Sequence, residues 1–487
     1  MPHPDEHLRT RSAAMEMAPD EFRQIGHDLV NRLADFLAGL PARPVTPAET
    51  PQQVRQAIGA SRPLPETPGD AATIAAQAAE LLMDHSLFNG HPRFFGYITS
   101  SAAPIGALAD LIASTINSNA GAWKLAPAAS EIEAQTIRWI AEFIGYPAGG
   151  GGLLVSGGNM ANFAGFLAAR AHAGGAQLRA RGVTAVPPLR CYCSRETHTW
   201  IQKAADMSGL GTDAIRWIDC DAQQRMSIPA LRAAIEEDRA RGDRPFLVVG
   251  TAGGVSTGAV DPLVELAQVC REFDLWFHVD GAYGGLAAGV PEAGEELLGL
   301  SMADSVAVDP HKWLYAPLEA GCILVRDPQS LLNAFSYHPP YYNFDTDAIN
   351  YFDLGPQNSR GFRALKVWMA FQQAGRAGFQ QAIKDDVALA RHAYDCFAAH
   401  AEFEVFTCNL SICTFRYVPA HLRGKEEELN RVNQALLDAI ENSGQAFLSN
   451  AVVNGRYLLR MCIVNFRTTL QDIEALPALI AELGRSY

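Results

Sequence analysis

Between residues 152 and 326 the chain repeats one pattern: a short run of apolar side chains, a turn, then a stretch with helical spacing. The runs are GLLVS, RCYCS, AIRWID, FLVVG, LWFHVD, SVAVD and GCILVR. Most are apolar at successive positions rather than at alternate ones, so both faces of each strand are expected to be covered. This predicts an α/β fold with a central, mostly parallel seven-stranded sheet and helices on both faces. Ligands in such folds sit beyond the carboxyl ends of the strands.

The flanking segments read differently. Residues 20–39 carry apolar side chains at helical spacing, with Asp20 placed as an N-cap. Prolines at 41, 44, 47, 51, 63, 65 and 68 then predict an extended strap. Helices are expected near 73–87, 104–118 and 130–144. After Ala364 two helical stretches lead to FEVFT, SICTFRYV and YLLRMCIVN, and then to the helical TLQDIEALPALIAELG. The expected division is a helical N-terminal segment over 1–95, a large domain over 96–375 and a small α+β domain over 376–487.

The 487 residues include 48% hydrophobic and 19% charged side chains, an ordinary globular composition with room for a large core. Lys plus Arg number 39 against 53 Asp plus Glu, a net charge of −14, which argues against a nucleic-acid partner. Prolines and charges interrupt the N-terminus where a secretory leader would be apolar, and no run is long enough to cross a bilayer. The expectation is a cytoplasmic protein with no membrane association. Nine scattered cysteines fit reduced thiols. Cys191 and Cys193 with His198 invite a metal reading, but the two thiols share one face of a strand and no second ligand pair has suitable spacing, so no metal is expected.

Four features fall at predicted strand ends. In LLVSGGNMANF a strand runs through a Ser-Gly-Gly turn into a helix, leaving the N–H groups of Gly158 and Asn159 free; this is an anion site or a plain turn. His198 follows another strand, as a structural histidine or a ring that stacks on a planar ligand. Asp280 ends the very apolar LWFHV run, and a carboxylate there needs a cation or hydrogen-bond donors unless it merely caps a turn. Lys312, in SVAVDPHKWLY, is either a surface lysine or a nucleophilic amine. Taken together, an amine, a carboxylate, an aromatic platform and an anion site are what pyridoxal phosphate requires.

The ordered set HPRFFGYITSSAAP, SGGNMANFAGFLAAR, ETHTW, HVDGAYGG and DPHKWLYAP resembles the group II pyridoxal phosphate-dependent amino acid decarboxylases, most closely the aromatic L-amino acid decarboxylases. The likeness spans nearly the whole chain and implies the transferase-like architecture called fold type I. It makes Lys312 the Schiff-base lysine with His311 beside it, Asp280 the partner of the ring nitrogen, His198 the stacking ring and Ala282 the residue on the opposite ring face. It assigns Gly158 and Asn159 to the phosphate loop and Thr251 to the cofactor and substrate. Tyr97, Ile98, Thr99 and Trp123 fall on the substrate pocket. Tyr341, with Tyr337 and Tyr342 close by in register, matches the loop tyrosine that returns a proton to carbon. The resemblance further implies a homodimer with active sites at the subunit interface.

The same comparison exposes departures. Asp309 stands where many relatives have asparagine near the phosphate, so it is expected either to face away or to be shielded by Arg360. Ile98, Thr99 and Gly121 suggest a roomier pocket, and Arg93 is the one basic candidate for a side-chain carboxylate. Decarboxylation of an aromatic amino acid is the preferred expectation. The alternatives are a non-aromatic substrate, an aldehyde synthase, or a cofactor-binding protein without catalysis.

Overall fold

The computed structural model describes residues 9, 11, 13–292, 294–337 and 348–487. All seven expected strands form: β1 (Gly151–Val155), β2 (Leu189–Ser194), β3 (Ile215–Ile218), β4 (Arg244–Thr251), β5 (Trp276–Asp280), β6 (Ser305–Val308) and β7 (Gly321–Val325). They make one sheet in the order β1-β7-β6-β5-β4-β2-β3. β2, β3, β4, β5 and β6 pair in parallel, whereas β7 runs antiparallel to both β1 and β6. Every residue of β5, β6 and β7 is buried, which is why their sequences are apolar without alternation. Cys191 and Cys193 lie in the core of β2, where burial raises both thiols and leaves them neutral.

A second sheet of four antiparallel strands follows, in the order β10-β11-β9-β8, made by β8 (Phe403–Asn409), β9 (Ile412–Tyr417), β10 (Ser449–Val453) and β11 (Arg456–Cys462). The helix Ala364–Ala399, kinked at Gly375, runs from the first sheet to the second. Within it the buried Asp386 accepts hydrogen bonds from Trp313 Nε1 (2.9 Å), Tyr315 Oη (2.7 Å) and the Asn465 amide (3.3 Å). One carboxylate thus ties the Lys312 loop to the chain leaving β11. Burial pushes its pKa up to about 7.

Two expectations about the N-terminal segment are corrected. The first helix spans Pro19–Gly39 with Ala18 at the N-cap, so Asp20 lies inside the first turn and complements the helix dipole instead of capping it. The proline-rich strap contains a helix, Pro51–Ala57, nucleated by a capping box between Thr50 and Gln53. The helices Pro19–Gly39, Pro51–Ala57 and Ala71–Asp84 bury none of their residues, whereas the chain between and after them is pinned to the segment leading into β10 by Val45 N to Gly444 O (2.8 Å) and Phe95 N to Phe447 O (2.7 Å).

Arg360 and Glu133 form a fully buried pair, with Nη2 to Oε1 at 2.6 Å. The guanidinium also donates to Ala120 O and Leu154 O, and Glu133 Oε1 accepts the Leu154 amide. The pair therefore anchors the end of β1, just before the Gly157 turn. An Arg360→Met protein is expected to lose on the order of 3 kcal/mol of stability, because the glutamate is left buried without its cation. Urea unfolding followed by circular dichroism checks this.

Candidate active site

The strand register assembles a cleft at the carboxyl edge of the first sheet. Thr251 ends β4 and pairs with Asp280, which ends β5 and pairs with Ala307 of β6. One strand end further, Asp309 and Pro310 turn the chain so that Lys312 N bonds Asp309 O (2.9 Å) and Tyr315 N bonds Lys312 O (3.0 Å). Trp313 is wholly buried beneath this turn. The strand therefore ends in a short anchored loop that presents the Lys312 amine at the cleft wall.

That wall is formed by Ile98, Gly158, Asn159, Asn162, Glu196, His198, Thr251, Gly253, Val255, Asp280, Ala282, Tyr283, Asp309 and Lys312, around a narrow cleft that opens to solvent. Asp280 is buried, and its carboxylate is satisfied by Trp200 Nε1 (2.7 Å) and the Ala282 amide (3.2 Å). Two residues earlier, on the same face of β5, His278 lies between Asn162 Oδ1 (2.7 Å) and Ser305 Oγ (2.8 Å). Burial pushes its pKa down to about 4, so the ring is neutral, with Nε2 donating to Asn162. Thr251 is held by its amide, which donates to the buried Asp261 (2.8 Å). Desolvation raises the Asp261 pKa to about 6 even though Met226 N also donates to it.

His198 exposes its ring to the cleft. Desolvation by the surrounding wall lowers its pKa, Asp280 opposes this and Lys312 adds to it, so the imidazole is neutral at pH 7. Gly157 has φ of +111°, a conformation that side chains disfavour, and it delivers the chain into the helix Gly158–Arg181. A Cβ on Gly158 would come within 2.6 Å of Asp309 Oδ2 and 2.9 Å of the Ala282 Cβ, so only glycine leaves this helix start open. The first N–H groups of a helix have no partner within it.

The structure thus brings together Gly158, Asn159, His198, Thr251, Asp280, Ala282, Lys312 and Ile98. His311 sits behind the wall, its Nδ1 2.7 Å from Ala320 O. Tyr97, Thr99 and Trp123 do not line this cleft: Tyr97 packs on Phe447, the Thr99 hydroxyl is buried without a partner, and Trp123 Nε1 donates to Glu131. Tyr341 and Tyr342 lie outside the described residues; Tyr337 stacks under Arg179.

Two expectations, for Asp309 and Gly121, fail on long-range contacts, and the one basic candidate, Arg93, is engaged elsewhere. Asp309 does not face away, since its Oδ2 lies 3.1 Å from Lys312 Nζ, and Arg360 does not shield it, being committed to Glu133. Gly121 does not enlarge a pocket, because a Cβ there would meet Asn358 O at 2.1 Å. Arg93 is paired with Asp472 at 3.2 Å. Trp200, Asn162 and Asp386 escaped the reading of the sequence; only Asn162 left a trace there, three residues after Asn159 on the same helix face.

The donor set fits pyridoxal phosphate: an amine, a buried carboxylate, a neutral imidazole face and a helix start kept open by glycine. Residues 51–418 match the family model described as the pyridoxal-dependent decarboxylase conserved domain, and the chain belongs to that family. It is a pyridoxal phosphate-dependent amino acid decarboxylase, a carboxy-lyase of fold type I. An aromatic-L-amino-acid decarboxylase of Bacillus atrophaeus is 34% identical over 98% of this chain and 99% of its own length. A phenylacetaldehyde synthase of Petunia hybrida is 30% identical over 91% of this chain and 90% of its own length. The crystal structure of Oryza sativa TDC with PLP and tryptamine superposes with a TM-score of 0.89 at 28% identity, covering 97% of this chain and 99% of that one. Among the described residues no helix is long and apolar enough to cross a membrane.

Proposed function

We propose that the protein decarboxylates an aromatic L-amino acid to its amine and carbon dioxide, with Lys312 as the cofactor-binding amine. The observation that carries the substrate class is the charge of the cleft: among its described wall residues Lys312 is the one Lys or Arg, beside the carboxylates of Glu196, Asp280 and Asp309. A substrate with an acidic side chain would meet repulsion there, and Arg93 is engaged elsewhere. An uncharged side chain fits best, in keeping with the Bacillus and rice relatives.

Bound pyridoxal phosphate supplies an electrophilic carbon and a ring that accepts electrons. Lys312 Nζ would be the amine that holds that carbon, within reach of the substrate's own amine. Asp280, fixed by Trp200 and the Ala282 amide, holds a proton at the ring nitrogen. His198 and Ala282 would pack against the cofactor ring, and Gly158 and Asn159 would offer N–H groups to its phosphate. Tyr341 is the assigned acid that returns a proton to carbon.

The test is product analysis with pyridoxal phosphate and a panel of L-amino acids including L-DOPA and 5-hydroxytryptophan. Amine and carbon dioxide in equal amounts from an aromatic substrate are expected. Aldehyde with peroxide would favour the second reading, which rests on the Petunia relative. Turnover of acidic substrates alone would overturn the first.

The protein is also proposed to act as a homodimer. Phe22, Val30, Leu33, Ile74, Leu82, Leu108, Leu111, Ile112 and Ile116 are exposed on the N-terminal helices and on Pro104–Ile116, a concentration of apolar surface that a second copy would cover. Light scattering is expected to give twice the 52.6 kDa chain mass, and an Ile112→Asp change to weaken association.

A further inference from the structure

The wall of the cleft contains a carboxylate that the proposed chemistry does not use. Asp309 is 2% exposed. Its Oδ2 lies 3.1 Å from Lys312 Nζ and 3.6 Å from His311 Nε2. The same oxygen crowds the position that a Cβ on Gly158 would take, at 2.6 Å. Its other oxygen, Oδ1, is buried without any hydrogen-bond partner. A buried carboxylate oxygen left without a donor is costly, and a bound group that carries a donor would satisfy it.

The start of a long helix, where N–H groups favour an anion, here adjoins a fixed carboxylate that disfavours a doubly charged one. Both features are satisfied by an anion that carries a proton. A phosphate monoester has its second pKa near 6 and exists on both sides of that value as monoanion and dianion. The monoanion retains one P–O–H donor; the dianion has none. Carboxylates that share a site resolve their repulsion in the same way, by holding one proton between them.

We propose that Asp309 makes the phosphate subsite selective for the cofactor's monoanion, with the single P–O–H hydrogen donated to Asp309 Oδ1 and the remaining phosphate oxygens taking the helix N–H groups. No bond to phosphorus is made or broken; one proton is retained on binding below pH 6 and taken up from solvent on binding above it. The charged and titratable groups around Asp309 are Lys312 and His311 on its own loop, Asp280, His198 and Glu196 across the cleft, and Cys322 behind it on β7. Burial keeps His311 neutral and the Cys322 thiol protonated, so neither offers a charge that varies near pH 7.

The proposal rests on the assignment of Gly158 and Asn159 to the phosphate, and the test separates the two. Full-length protein stripped of cofactor is titrated with pyridoxal phosphate and with pyridoxal, and the loaded protein is examined by phosphorus-31 NMR from pH 6 to 8. The bound phosphate of the wild type is expected at the monoanion position throughout this range, and that of Asp309→Asn at the dianion position. The ratio of the two dissociation constants, phosphate form over pyridoxal, is expected to worsen about tenfold per pH unit above pH 6 in the wild type and to stay flat in the variant. Asp309→Ser, which also lacks the charge, is expected to follow Asp309→Asn and serves if the asparagine protein does not fold. A dianion signal in the wild type overturns the inference while leaving the cofactor site intact. Equal affinity for pyridoxal and pyridoxal phosphate at every pH overturns the phosphate assignment and the inference with it.

Discussion

A Lys312→Ala protein is expected to fold, to show no absorption band near the visible edge when given pyridoxal phosphate, and to lose turnover by on the order of 10⁴-fold. The geometry explains why no other residue substitutes for it. Among the described wall residues Lys312 is the one amine, and it reaches the cleft because Trp313 and Tyr315, on either side of the loop's buried face, are clamped to Asp386. Removing the side chain leaves those anchors in place but takes the cation from the buried Asp309, so the protein is expected to fold with a lowered unfolding temperature. A variant that kept both the absorption band and the activity would place the amine elsewhere.

Asp280→Asn is the second large effect, with a loss on the order of 10³-fold in kcat and a smaller change in KM. The amide is nearly the same size and keeps an oxygen for Trp200 Nε1. What it lacks is the negative charge that favours a proton on the ring nitrogen, and that proton matters most when carbon dioxide has left and negative charge develops. The loss is therefore expected in the chemical step, read by single-turnover kinetics, with binding of the amino acid nearly unchanged. An equal fall in affinity for the cofactor and no change in the chemical step would show that Asp280 only holds the ring in place.

The sequence revealed the first sheet because burial on both faces leaves a mark that needs no partner to be recognised: β5, β6 and β7 are buried at every position. It did not reveal β10, whose burial is uneven along an edge strand with Asn450 and Val452 exposed. Lys312, Asp280 and His198 stood out as polar residues where apolar strands end, and the structure gathers them into one cleft. Asp309 and Gly121 were misread for a shared reason. Their surroundings come from residues far along the chain or across a turn: Asn358 fills the space beside Gly121, and Glu133 takes Arg360 away from Asp309. Local pattern carries no trace of such encounters. The Thr50 capping box, by contrast, was visible in TPQQ and was obscured by the prolines around it.

The role of Lys312 is tested most directly by chemistry. The protein loaded with pyridoxal phosphate is reduced with borohydride, which converts the carbon–nitrogen double bond to a stable amine, and its peptides are mapped by mass spectrometry. The cofactor is expected on Lys312, in the peptide that contains DPHK, at close to one per chain. Label on a different lysine, or a peptide map without label from a protein that still decarboxylates, would contradict it.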